Sequence, residues 1–119
     1  PANAPEDVQS SADVIVKENM DMNHISPDRY SVKVGNILDD DFAKTLPEHG
    51  SDIVVANIMA DIIISMIPVL RRFMSDKSVF IASGIIEARL DEVISKLEDA
   101  GFEIIDSRVL NEWCCVVCK

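Results

Sequence analysis

The chain has 119 residues, 48% of them apolar and only 5% aromatic, which bounds it to one domain, or part of one, with an aliphatic core. Its 21 acidic and 11 basic side chains give a net charge of −10, a surface that repels phosphate backbones and excludes nucleic acid as a direct partner. No apolar run reaches the ~18–20 residues of a membrane span, and the acidic N-terminus is no secretory signal, so a soluble cytoplasmic protein is expected.

Residues 1–7 carry two prolines and no apolar period and read as irregular. Ser10-Ser11 caps a helix through about Met22, with Ala12, Ile15, Val16 and Met20 on one stripe. Asn23-His24 and Ser26-Pro27-Asp28 form a turn. Tyr30 to Leu38 reads as a strand with Val32, Val34 and Asn36 on one face. Asp39-Asp40-Asp41 is a solvated loop entering a short helix at Phe42–Leu46.

After a loop from Pro47 to Ser51, Asp52-Ile-Val-Val-Ala-Asn57 reads as a buried strand. A helix follows over about Asp61–Met74, with Ile62, Met66, Val69, Leu70 and Phe73 at helical spacing and Pro68 as a kink. Ser78–Ser83 is a second apolar strand, closed by Gly84. Leu90, Val93, Ile94 and Leu97 mark another amphipathic helix, with Gly101 as its C-terminal stop. Phe102–Val109 and Trp113–Cys118 are the last strands, joined by Leu110-Asn111-Glu112.

Helices and strands alternating in this way build a parallel sheet covered by helices. The short last connection makes the final pair antiparallel, because a parallel crossover needs a dozen or more residues. Asn57 is the most informative residue. A polar amide where a buried strand turns into a helix stands where ligands bind in open α/β sheets, although a turn-forming asparagine at a strand end has the same look.

The three cysteines, Cys114, Cys115 and Cys118, lie in the last six residues and form no disulfide framework. Cys115-Val-Val-Cys118 has CxxC spacing but lacks a second ligand pair, and His24 and His49 are remote in sequence, so no metal site is expected. Alternation along a strand puts Cys114 and Cys118 on one face as packing residues.

Several segments, in order, resemble the ribosomal protein L-eleven methyltransferase family over nearly all of residues 7–119. Glu6-Asp7-Val8-Gln9 stands where the family has an acidic strand end. Lys17-Glu18-Asn19-Met20-Asp21-Met22-Asn23 is similar to its helix end, with asparagines four apart. Asp52-Ile-Val-Val-Ala-Asn57-Ile-Met-Ala60 resembles its signature after the fourth strand. Phe80-Ile-Ala-Ser-Gly-Ile-Ile86, Ala100-Gly-Phe-Glu-Ile104 and Glu112-Trp113 are similar to later junctions.

The resemblance implies an incomplete Rossmann-like class I methyltransferase sheet, mostly parallel with one antiparallel strand near the C-terminus. It implies the sheet order third, second, first, fourth, fifth, seventh, sixth. It also implies S-adenosylmethionine as cofactor and methylation of amino groups on a large-subunit ribosomal protein. Asp7 then binds the ribose hydroxyls, Asn57 contacts cofactor and incoming amine as the catalytic residue, and Asn36 stands near the adenine edge. A local strand-end role for Asn36 fits its residue type equally well.

Against the family pattern, Gln9 replaces a second acid and Ser75-Asp-Lys-Ser78 replaces a glycine turn. The four glycines, Gly35, Gly50, Gly84 and Gly101, lie too far apart for the family's glycine-rich cofactor loop. The first strand and that loop are therefore absent, and residues 1–119 are expected to be the C-terminal portion of a catalytic domain, inactive alone. Loss of the first strand would bare the edge of the Asp52–Asn57 strand, inviting repacking of Tyr30–Leu38 or dimerisation. The alternative is a non-enzymatic acidic α/β interaction module.

Overall fold

The computed structural model describes residues 6–48 and 50–119, with side chains from Asp13 onward. It divides into two units, Pro1–Ala43 and Lys44–Lys119.

In the first unit, helix α1 spans Glu6–Met22. It starts before Ser10-Ser11, which are interior residues rather than caps. Neither proline nor glycine interrupts Glu6–Met22, and carboxylates at Glu6 and Asp7 suit the positive end of a helix. The expectation for residues 1–5 lies outside the described residues. On the expected stripe, Val16 and Met20 are half-buried while Ile15 is exposed. Lys17 pairs with Asp13 one turn away at 3.1 Å. At the far end, Asn23 donates its side-chain Nδ2 to the Asn19 backbone carbonyl at 2.8 Å, satisfying one of the helix's last free carbonyls.

Tyr30–Leu38 forms no strand, contrary to the expectation from its alternating valines. A strand exists only through a ladder partner, and this segment pairs with none of the four described strands. Helix α2 spans Asp40–Ala43, earlier than the expected Phe42–Leu46. Asp39 sets its start: Oδ1 accepts from the Asp41 N–H at 3.0 Å, and the Asp39 carbonyl accepts from the Ala43 N–H at 2.9 Å.

The second unit is one four-stranded sheet with two helices. Strand β1 is Ser51–Asn57, helix α3 Ala60–Leu70, strand β2 Met74–Ile86, helix α4 Leu90–Asp99, strand β3 Ile104–Leu110 and strand β4 Trp113–Cys118. The strand order is β1-β2-β4-β3. β1 and β2 are parallel, and β4 runs antiparallel to both β2 and β3. Asn111 and Glu112 both take positive φ, 51° and 71°, giving the tight turn that forces this last pairing.

The core lies between one sheet face and the two helices. Phe80, Ala82 and Ile85 of β2 and Cys114, Val116 and Cys118 of β4 supply the sheet side; Ile63, Ile67 and Leu70 of α3 and Val93 and Leu97 of α4 supply the helix side. The buried face of α3 is Ala60, Ile63, Ile67 and Leu70; of the expected stripe Leu70 and Phe73 are buried and Met66 and Val69 half-buried, but Ile62 is 43% exposed. In a segment this apolar, periodicity marks several faces at once. The α-helix also gives way at Arg71–Phe73 to a 3₁₀ turn, and Met74 already belongs to β2. Arg71 locks that turn: its guanidinium stacks on the Phe102 ring at 3.9 Å and donates to the Gly101 carbonyl at 3.0 Å. Gly101 takes φ +90° just past the end of α4, as its position implied.

β2 is longer than expected at both ends. Its serine-rich start bulges against β1, where the register slips between Ser51–Met74 and Ile53–Val79. Ser78, 2% exposed, uses its hydroxyl to donate to the Ser51 carbonyl and to accept the Ser75 N–H at 2.6 Å. At the other end, Gly84 does not close the strand. It sits in a bulge, at φ +79°, where three steps along β2 oppose two along β4.

Candidate active site at the carboxyl end of β1

β1 is not the buried strand expected from its apolar run, but alternates in burial because one face of the sheet is open. Val54 and Ala56 face the core, whereas Ile53, Val55 and Asn57 face away and are exposed. Asn57 is the last residue of the strand, paired with Ser83 of β2, and the Ile58 N–H continues the ladder to the Ser83 carbonyl at 3.2 Å. The next two residues lead directly into α3. The expected geometry for Asn57, an amide at the carboxyl end of a parallel strand, is present.

The Gly84 bulge makes room for this amide. A Cβ built on Gly84 would lie 2.6 Å from Asn57 Oδ1 and 3.3 Å from both the backbone N and O of Ile58. Only glycine combines the positive φ with that close approach. The Asn57 side chain thus lies across bare backbone of β2. Among the described residues, its amide has no hydrogen-bond partner.

Beside Gly84 opens a cavity of about 190 Å³. Met59 and Ala60 wall it at the start of α3, Ile86 at the end of β2 and Trp113 at the start of β4. Asp61 and Arg89 also line it, joined by an ion pair of 2.6 Å. Arg89 reaches Glu92 as well, at 2.7 Å. These two hydrogen bonds, the one to Glu92 first, push the Arg89 guanidinium further up, and Arg89 holds the Glu92 carboxyl below its usual range. The short 3₁₀ turn Glu87–Arg89 aims the arginine, and it is tied down by the Glu87 N–H, which donates to the Glu112 carbonyl at 2.9 Å.

The other site candidates belong to the first unit. The Asp7 backbone lies in the first turn of α1, not at a strand end, and its side chain is outside the described residues. Asn36 sits in irregular chain, where its Oδ1 accepts from the Leu38 N–H at 3.0 Å and its carbonyl accepts from the Asp39 N–H at 2.9 Å. That is the local role its residue type allowed. The structure therefore sets Asn57 against Gly84, which in turn lines a hollow with Asp61, Arg89 and Trp113. Of these, Gly84 was detectable in the sequence: a glycine inside an apolar run marks a bulge or a close backbone approach. Arg89 and Asp61, 28 positions apart, carried no such signal.

A parallel pair continued by an antiparallel strand slotted inside the last one, with an asparagine at the carboxyl end of the first, is a Rossmann-like class I methyltransferase sheet lacking its earlier strands. The order β1-β2-β4-β3 corresponds to fourth, fifth, seventh, sixth. Comparison with known proteins makes this specific. The chain belongs to the family described as ribosomal protein L11 methyltransferase (PrmA), whose model matches residues 4–119. A ribosomal protein L11 methyltransferase of Fusobacterium nucleatum is 34% identical over 95% of the chain, and one from Agathobacter rectalis is 36% identical over 90%. The chain spans only 35% and 33% of those two proteins. A crystal structure of the ribosomal protein L11 methylase from Lactobacillus delbrueckii subsp. bulgaricus superposes with a TM-score of 0.73 at 25% identity, covering 89% of this chain and 51% of that one.

Proposed function

We propose that this chain is the C-terminal part of the catalytic domain of a protein N-methyltransferase that uses S-adenosylmethionine to methylate amino groups of ribosomal protein L11. The observation that carries the reading is Asn57, exposed at the carboxyl end of a parallel strand and lying on a glycine whose missing side chain admits it. Family membership over residues 4–119 supports it.

The residues present suit such a ligand. The Asn57 amide offers one acceptor and two donors, and bare backbone at Gly84 permits close approach. The cofactor, when bound, supplies a methyl group on a positively charged sulfur. Asn57 then orients the incoming amine, which must arrive neutral so that its lone pair can attack. Alignment and exclusion of water supply most of the acceleration. Asp7 is assigned to the ribose hydroxyls, since a carboxylate accepts two hydrogen bonds from a diol. Asn36 is assigned to the adenine edge; its Oδ1 is engaged by Leu38, which leaves the NH₂ to donate. No two of the four glycines stand close enough for a glycine-rich cofactor loop, so residues 1–119 alone are inactive and bind the cofactor weakly.

The test is Asn57→Ala in the full-length enzyme, read by transfer of labelled methyl to L11 beside the thermal midpoint. Turnover falls on the order of a hundredfold, the effect of misplacing a reactant by about 1 Å. Stability changes by only ~1 kcal/mol, because the apolar run Ile53–Ala56 is untouched. Near-normal methylation with a collapsed midpoint would make Asn57 a purely structural residue.

A further inference from the structure

Helices α3 and α4 both pack on one face of the four-stranded sheet. The other face is bare. Ile53 and Val55 of β1, 62% and 63% exposed, stand beside Val79 and Ile81 of β2 in parallel register. Ile81 in turn lies beside Val117 of β4, and Cys115 follows on the same side, opposite the buried Cys114 and Val116. Val79, Ile81, Cys115 and Val117 belong to the two central strands, yet all four are only half-buried. Apolar side chains in adjoining rows on one side of a sheet form a contact surface, unlike the scattered exposure that any protein shows.

Charge and shape decide the occupant. The chain carries a net charge of −10, but the middle of this face carries none. On β3, Asp106 and Arg108 lie beside Val117 and Cys115 and pair with each other at 2.9 Å. Past the end of β4, Lys119 pairs with Glu103 at 3.9 Å. Exposed Asp52, Asp76 and Lys77 at the strand starts leave one net negative charge, so nearly all of the repulsion between two copies originates elsewhere. A second copy matches the face in twist and in the length of its rows. With a two-fold axis across the strands, each Arg108 lies over the partner's Asp106, so the charges are self-complementary. Four strands ~4.8 Å apart and seven residues of ~3.3 Å each give a footprint of roughly 19 by 23 Å. Two such faces cover on the order of 900 Å² together, below the ~1,200 Å² at which stable complexes begin, so the contact is weak and depends on concentration.

We propose that the open sheet face is a self-association surface, on which a second copy of this chain docks face to face to form a weak two-layer dimer. The contact is independent of the β1 edge, whose pairing uses backbone groups and leaves Cys115 uncovered. It also stands apart from the methyltransferase reading, since neither cofactor nor methyl transfer enters it.

Cys115 reports the face directly, because the other two thiols, Cys114 and Cys118, are buried on the core side. The rate at which a thiol reagent modifies Cys115 is measured on the 119-residue protein from low micromolar to millimolar concentration. Docking slows that rate by at least about threefold at the high end, as mass action requires once most copies are paired. Arg108→Glu sets like charges against each other across the two-fold axis and abolishes the protection. The exchange Asp106→Arg with Arg108→Asp restores it. Both side chains are exposed, Arg108 at 83% and Asp106 at 45%, and an unchanged thermal midpoint confirms intact folding. Fast modification at every concentration would mean a face that stays bare. Slow modification even in dilute protein would mean that the chain's own first unit covers it. Growth in mass without protection of Cys115 would place the contact at a strand edge, and protection that survives Arg108→Glu would place it on another surface. Each of these results overturns the proposal.

Discussion

Gly84→Ala tests the junction that positions Asn57. The new Cβ would stand 2.6 Å from Asn57 Oδ1, so the oxygen must retreat about 0.8 Å to reach an ordinary 3.4 Å contact. Two costs follow. Holding alanine at φ +79° costs ~1–2 kcal/mol. Pushing the asparagine off its rotamer costs a further ~0.5–1.5 kcal/mol. The single substitution therefore destabilises by about 2–3 kcal/mol, a lowering of the urea midpoint by roughly 1 M or more. Asn57→Ala removes the oxygen and leaves the backbone strain, so in that background Gly84→Ala costs only the first ~1–2 kcal/mol. Urea unfolding of wild type, both single variants and the double variant gives a coupling of about 1 kcal/mol. Strict additivity would refute the argument, because the two side chains would then not compete for one space.

Ser78→Ala removes the hydroxyl that donates to the Ser51 carbonyl and accepts the Ser75 N–H, and costs ~1–3 kcal/mol by unfolding because the site is buried. Burial pushes the Cys118 thiol up to about 11 from 9.0, so the folded state keeps a proton that the unfolded chain releases. That contribution is intact below pH 9 and lost as pH rises toward 11, roughly 2–3 kcal/mol in all, visible as a falling midpoint that Cys118→Ala flattens. Thiol reagents at neutral pH label the half-buried Cys115 well before Cys114 or Cys118. Among the described strands β1 lies at the edge, with Ile53 and Val55 more than 60% exposed, and dimerisation through that edge is the expected outcome. Sedimentation equilibrium checks this, and a monomer at high concentration would count against it.

Legibility followed the physics of each signal. The second unit read well because strands β1, β2 and β4 bury alternate residues against helices, and the turn Asn111-Glu112 leaves room for only one pairing. The Cys114 and Cys118 alternation held for the same reason: both are almost wholly buried on the core face of β4, with Val116 between them. Tyr30–Leu38 misled because alternation describes a face and not a ladder; without a partner strand it stays irregular. Asp39 shifted α2 because a capping aspartate at a helix start outweighs the placement of one phenylalanine. Ile62 was misread because every third or fourth position of α3 is apolar, and only contact with β2 and α4 decides which face is inside.

The site was half legible for a related reason. Asn57 announces itself by contrast, a polar residue ending an apolar strand. Gly84 stands out as a glycine inside an apolar run, but its approach to Asn57 does not, and Arg89 is noticeable only once Asp61 and Glu92 are seen to grip it. Yet Gly84 leaves the space that the asparagine fills, and Arg89 shapes the surface beside it. The Asn57 backbone is held by the β1–β2 ladder, and its amide occupies the space that a side chain on Gly84 would take. On the proposed function, Asn57 aligns the incoming amine while the exposed Met59, Ile86 and Trp113 beside it meet the protein substrate. The division predicts its own signature. Variants at Gly84 should lower turnover more than substrate affinity, and variants at Trp113 should do the reverse.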